Sequence, residues 1–459
     1  MDLTLKSLMV PLPEDIQKLK GYGAFDLAIK IIDSRLQEDI PSILRARLEL
    51  EKVILQRIPG EYRYSEMDAL QKMEAMFHDV TPADLTAVRE SDAADWYYVD
   101  GELRFKNDFL ENITKTRAAW DQRVRPGMKK EDREGNFSLL DGEIAKMKRD
   151  GGSAYRMTVE MSLKIRPDVW QPNKTLRVHL PLPVEYAQVR NVEIMDIAPK
   201  PAHIGAPRHP QRTVYFEGIY DAEEVFSVRF SFENHTAYVN PDPAAVSALQ
   251  PTFYTEESPP HIVFTPLIRD VVREIVGTEQ NPLIKARKIY DYVTQKIIYS
   301  FMRPYITLTN IPEYCITSRK GDCGVLALTF ITLCRAAGIP ARWQSGMYAN
   351  PLSIGNHDWA EFYVEPYGWI FADPSFGGSA HRAKNTERHD FYATNIDPFR
   401  IPYASAFQHP MHPPLKHLRN DPYDNQNGEA EYEDRPLFGD ERITKSTMIA
   451  IEPFEYAEA

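Results

Sequence analysis

Lys320-Gly321-Asp322-Cys323-Gly324, then His357-Asp358-Trp359-Ala360-Glu361, then Gly368-Trp369-Ile370-Phe371-Ala372-Asp373-Pro374 form the stretch on which the reading of this chain turns. A cysteine, a histidine and an aspartate occur in that order, each where a loop meets regular structure. Val325 to Ala336 carries Leu326, Leu328, Phe330, Ile331 and Leu333, and Gly338-Ile339-Pro340 follows, the pattern of an apolar helix stopped by glycine and proline. Cys323 therefore stands at a helix N-terminus, where unpaired N–H groups and the helix dipole favour an anion and lower a thiol's pKa. Ala341 to Tyr348, Trp359 to Val364 and Trp369 to Ala372 read as strands, with a turn at Pro366-Tyr367-Gly368. In an antiparallel hairpin the start of one strand lies near the end of its partner, which brings His357 toward Asp373. The helix, packed on that sheet, would point Cys323 at His357. Together they form the residue set of a thiol nucleophile, its general base and the group that orients the base.

The other two cysteines have plainer readings. Cys334 lies about three turns along the same helix, roughly 16 Å from Cys323 and out of disulfide reach, and reads as a buried structural thiol. Cys315 reads as a packing or surface thiol in an irregular loop between Ile306 and Lys320. Three cysteines in 459 residues make no disulfide framework, so a reducing cytoplasm is the expected compartment.

Outward from this block, the composition is that of soluble globular protein, 43% apolar and 26% charged. A formal charge of −12 argues against nucleic-acid binding, since no basic surplus is available to neutralise phosphates. No run of about 18 apolar residues exists, so no membrane span is expected. Met1 to Pro11 lacks a basic region followed by an apolar core, so no signal peptide is expected either. The remaining histidines show no zinc spacing and no acidic loop has EF-hand spacing, so no metal or other cofactor is expected.

Four regions follow from the patterning. Residues 1–150 read as mainly helical, with a hairpin at Trp96 to Phe105 turning at Asp100-Gly101, and a charged linker at Arg125 to Asn136. Residues 151–245 alternate with period two between proline and turn clusters, as in a β-sandwich-like module. Residues 260–400 hold the motif block, led by helical spacing over 265–297. Residues 401–459 form a C-terminal extension whose acidic part, Asn420 to Asp440, reads as disordered or as a surface arm, with one further strand at Ile443 to Glu452.

The motif block resembles the transglutaminase-like superfamily, most strongly its bacterial members. The matching pieces are Gly321-Asp322-Cys323, Arg335-Ala336-Ala337-Gly338-Ile339-Pro340-Ala341-Arg342, His357 to Tyr363, and Gly368 to Ser375, with Ile289 to Val293 as the preceding helix. The resemblance covers about 110–130 residues and implies an α+β, papain-like core, a helix packed on an antiparallel sheet. It implies Cys323 as nucleophile, His357 as base and Asp373 as orienter. It does not imply the calcium activation familiar in animal transglutaminases.

The expected chemistry is acyl transfer on an amide or peptide bond through a Cys323 thioester. The expected partner is a peptide or protein substrate, with no nucleic acid and no membrane. The Cys323 backbone N–H should meet the oxyanion, and the family often adds an upstream side chain; Tyr299, Tyr305, Tyr314 and Gln344 are the candidates. Trp359 is a candidate wall over the triad. Hydrolysis, as by a cysteine peptidase or amidase, is favoured because a transferase must exclude water. Transfer to an amine and a non-catalytic scaffold role are the alternatives.

Overall fold

The computed structural model describes residues 5–128 and 133–456. In the N-terminal region, helices Glu14–Gly21, Phe25–Arg35, Ser42–Glu61, Glu66–Met76 and Pro82–Glu90 follow the apolar spacing. Asp68 and Asp84 begin two of them well, each accepting from the backbone N–H and hydroxyl of a residue three positions earlier, Ser65 or Thr81. The hairpin is present as Trp96–Val99 and Glu102–Phe105, with Asp100 and Gly101 at φ 51° and 79°, the left-handed pair a type I′ turn needs. Of the linker expected at 125–136, residues 129–132 lie outside the described residues. Arg133–Asp150 is helix rather than linker.

Two four-stranded antiparallel sheets face each other beyond residue 150. One runs in the order Arg442–Phe454, Gly152–Ile165, Val225–Ala237, Val189–Ala198; the other in the order Glu429–Tyr432, Thr175–Pro181, Thr213–Ile219, His203–Ile204. Their inward phase, including Val159, Leu163, Val178, Phe216, Val228 and Phe230, forms one core. The strand expected at Ile443 to Glu452 is the edge strand of the first sheet.

The acidic segment at 420–440, expected as an arm, is instead built into the molecule. Its carboxylates satisfy backbone donors. Glu429 accepts from the N–H groups of Asn420 and Asp421 at 2.8 and 2.7 Å, and Glu431 accepts from those of Lys416 and His417. Buried charge in this segment is exchanged for hydrogen bonds to loop backbone, which composition cannot reveal.

Between the sandwich's own strands the chain inserts the motif core. Its central helix α1 (Cys323–Ala336) is flanked by helices Pro266–Val276, Pro282–Lys296 and Ile311–Ser318. The last of these overturns the irregular loop expected before Lys320: Asn310 caps it, accepting from the Glu313 N–H, and Pro312 occupies its first turn, where a missing N–H costs nothing. Cys315 is buried within it. Helix α1 packs on the sheet β1 (Ala341–Ala349), β2 (Ile354–Val364), β3 (Gly368–Ala372) and β4 (Arg400–Ala404), all antiparallel in the order β3-β2-β1-β4. Ala341, Trp343, Ala360 and Phe362 share the core of α1, with Phe330 edge-on to Phe362. The N-terminal region docks on the approach to α1: Asp95 pairs with Arg303 at 2.6 Å, and Asn112 accepts from the Phe301 N–H at 2.8 Å.

Candidate active site

Asp322 is the N-cap of α1. Its Oδ1 accepts from the Val325 N–H at 3.1 Å and from the Tyr305 hydroxyl at 2.5 Å. The cap presents the half-buried Cys323 at the first helical position. The Cys323 thiol donates to Asp358 Oδ2 at 3.5 Å. Asp358 follows His357 on β2, so the sulfur lies against the His357–Asp358 step of that strand. Alternation explains the arrangement: Asp358, Ala360 and Phe362 share the phase that meets α1, while His357, Trp359 and Glu361 take the other.

The expected direct contact between Cys323 and His357 is therefore replaced, among the described residues, by a hydrogen bond from the thiol to Asp358. The expected lowering of the thiol pKa is also reversed. Burial first, then the carboxyls of Asp358 and Asp322, push Cys323 well up and outweigh the helix terminus. Burial pushes Asp322 up to about 6. It also raises Asp358, helped by Asp322, and raises the neighbouring Asp424. Gln426 donates its amide to Asp358 Oδ1 at 2.8 Å and to the His357 carbonyl at 3.3 Å, tying the C-terminal segment to this rim.

His357 and Asp373 do meet. Nε2 lies 2.7 Å from Asp373 Oδ2, with both side chains buried. Asp373 caps the helix Pro374–Arg382 through Oδ1 accepting the Phe376 N–H at 2.9 Å. Oδ2 also accepts from Arg400 Nη2 at 3.0 Å. Burial alone would raise Asp373, but His357 and Arg400 outweigh it and hold the carboxyl below its ordinary range. Burial depresses His357, against the pull of Asp373 and with Arg400 adding to the depression. Phe376 packs 4.7 Å from the imidazole and Trp359 stacks on it at 6.0 Å, placing the indole as a wall beside the ring.

The oxyanion candidates separate. Tyr299 pairs in parallel with Gly321, two residues before Cys323, and after burial the Cys323 charge is the strongest influence raising its phenol. Tyr305 is committed to Asp322. Tyr314 faces Arg303 and Tyr62 instead. Gln344 is on the His357 phase, its oxygen accepting from Trp359 Nε1 at 2.8 Å and its nitrogen donating to Glu361 at 3.3 Å, so it braces the sheet rather than offering a free donor. Asp424 and Arg400 lie in no matching motif, and Asp358 lies in one without an assigned role. Asp358 alone had a signal, an acid on the apolar phase of β2.

Among the described residues no group of three His, Cys, Asp or Glu side chains is arranged to hold a metal ion, and no helix is long and apolar enough to cross a membrane.

Residues 269–374 match the family model of the transglutaminase-like superfamily. An uncharacterised protein of Haemophilus influenzae is 27% identical over 137 residues, covering 25% of this chain and 37% of that protein. The uncharacterised protein YebA of Bacillus subtilis is 22% identical over 129 residues, covering 24% of this chain and 17% of that protein. The matched part thus spans well under half the length of these curated relatives. A crystal structure described as a "putative cysteine protease" from Cytophaga hutchinsonii is 13% identical and covers 67% of this chain and 94% of its own, with a TM-score of 0.37. The periplasmic domain of TgpA from Pseudomonas aeruginosa is 16% identical and covers 55% and 96%, with a TM-score of 0.28.

Proposed function

We propose, from the premise that residues 269–374 form a transglutaminase-like domain, that this chain cleaves an amide or peptide bond through a Cys323 thioester. The observation that carries this reading is the buried 2.7 Å hydrogen bond from His357 to Asp373, one strand position from the residue that holds the Cys323 thiol. Cys323 starts as a neutral thiol, so its proton leaves as the bond to carbon forms. For this step the thiol turns from Asp358 toward His357, whose Nδ1 takes the proton while Sγ attacks the carbonyl carbon. Asp373 holds the other ring nitrogen and stabilises the imidazolium. The Cys323 N–H at the start of α1 and the Tyr299 hydroxyl meet the oxyanion. The C–N bond then breaks, and His357 returns the proton to the leaving amine. Water, deprotonated by His357, adds to the thioester and releases the acid and the thiol. Water is the acceptor in this scheme because a transferase must exclude it. The three unpaired cysteines support the cytoplasm as the compartment.

The test is labelling with a panel of peptidyl electrophiles and with iodoacetamide. Cys323 reacts, and its alkylation accelerates with pH, because the thiol and not a preformed thiolate is the resting species. Cys315, pushed up to about 12 by burial, and the buried Cys334 stay unlabelled in the folded protein. Cys323→Ala abolishes turnover. Alkylation of Cys323 no faster than of Cys334 would sink the proposal. New amino termini, or ammonia released without incorporation of an added amine, identify water as the acceptor; incorporation of the amine identifies transfer.

A further inference from the structure

Arg400 lies outside the residues that match the family model, on β4, across the sheet from β2. It is 1% exposed. A fully buried guanidinium is costly unless carboxylates surround it, and here two do. Nη2 lies 3.0 Å from Asp373 Oδ2 and 2.9 Å from Asp397 Oδ2. The guanidinium carbon sits 4.2 Å from the centre of the Phe376 ring, which itself packs against His357. Asp397 is fixed in turn: it accepts from the Tyr392 hydroxyl at 2.8 Å and from the Phe399 N–H at 3.0 Å. The row is therefore His357, Asp373, Arg400, Asp397, each member touching the next.

One oxygen, Oδ2 of Asp373, serves both His357 and Arg400. Arginine keeps its charge at every working pH. An imidazolium at His357 would therefore share its counter-ion with a permanent cation. Asp397, on the far side of Arg400, offsets this in part, raising His357 less strongly than Arg400 lowers it. Tyr348 on β1 stands 6.2 Å away, ring to ring, and Asp358, which accepts from the Cys323 thiol, is on the opposite phase of β2.

Resting on the reading of Cys323 and His357 above, we propose that Arg400 is a positioning residue that locks Asp373 and keeps His357 as the neutral imidazole until substrate arrives. The resting pair is then neutral thiol and neutral base, rather than thiolate and imidazolium. The depression of His357 and the elevation of Cys323 agree with this arrangement. Such a row places the proton transfer inside the attack step.

The experiment follows the His357 ring by NMR in histidine-labelled full-length protein, with His357→Gln for assignment. Asp397→Asn keeps the shape of the row and turns all of the Arg400 charge toward Asp373, so the His357 midpoint moves down. Adding Arg400→Gln to Asp397→Asn removes the competing cation without stranding its second carboxylate, and the midpoint moves up, past that of the wild type. Arg400→Lys keeps the charge and the low midpoint. A folded Asp397→Asn protein whose His357 midpoint does not fall overturns the proposal, as does a folded double variant whose midpoint does not rise. Should the double variant not fold, Asp397→Asn and Arg400→Lys still decide it. The thiol reading is scored separately by iodoacetamide rates. If the ring titrations shift as stated while Cys323 alkylation ignores the state of His357, the role of Arg400 stands and the Cys323–His357 pairing fails.

Discussion

The residue that shapes the site most stands beside the motif's histidine, with no role assigned to it by the motif. Asp358 takes the Cys323 thiol proton as a hydrogen bond and is itself held near Asp322 and Asp424, so three carboxyls crowd one helix terminus. Burial raises each of them, and a raised carboxyl favours the folded state while protonated. For Asp322 the sign is definite. Its folded value, about 6, exceeds its ordinary value of 3.8, so its contribution is complete below 3.8 and is lost as pH rises through 6. Asp322→Asn, which keeps the cap oxygen, should remove that part of the pH dependence. In thermal melts between pH 4 and 7 its midpoint should fall less steeply with pH than the wild type's. An equal slope would refute the assignment. His357 and Asp373 were legible because both flank strands in recognisable runs. The pKa of Cys323 was not, because a helix dipole acts locally and in sequence, whereas Asp358 arrives through a strand that only the fold brings near.

At the scale of elements, β1 couples the strands that carry His357 and Arg400. Gly346 lies opposite His357 on β2 and opposite Pro402 on β4. A Cβ there would stand 1.8 Å from the Ile401 carbonyl oxygen, a backbone atom that cannot step aside. Gly346→Ala should therefore cost about 3 kcal/mol, as overpacking does at the upper end of its range. It should also loosen β4, and with it the contact from Arg400 to Asp373. Urea unfolding reads the first effect; a shift in the His357 titration reads the second. Helix α1 was readable from its apolar run and the glycine beyond it. The helix Ile311–Ser318 was hidden because a proline near its start looks like a breaker unless the N-cap, Asn310, is weighed with it. Arg400 was hidden for a different reason: strands that are neighbours in space can be tens of residues apart, and nothing local marks the pairing of β1 with β4.

Across the whole molecule the sandwich is discontinuous. Strands from 152–237 form most of it, and Glu429–Tyr432 and Arg442–Phe454 complete one edge of each sheet after the entire motif core has intervened. Period-two alternation made the first group plain in the sequence. Of the second group, the strand at Ile443 to Glu452 was also readable, whereas Glu429–Tyr432 was obscured by acids that point inward onto loop backbone. Removing 442–456 should strip the long antiparallel pairing of Arg442–Phe454 with Gly152–Ile165. The expected result is trypsin cleavage within 152–237 and loss of a single cooperative unfolding transition. A shortened chain that unfolds in one sharp step at the wild-type midpoint would contradict this.

That edge strand also bears on timing. As the chain leaves the ribosome, Gly152–Ile165 emerges nearly 300 residues before the partner that will cover its open edge. Pairings of such separation are slow to close. Gln426, which braces the strand carrying His357 and Asp358, precedes both late strands and is made only after the whole motif core. A nascent chain can thus own Cys323, His357 and Asp373 and still lack the finished candidate site, which is completed only when the segment beyond β4 is made.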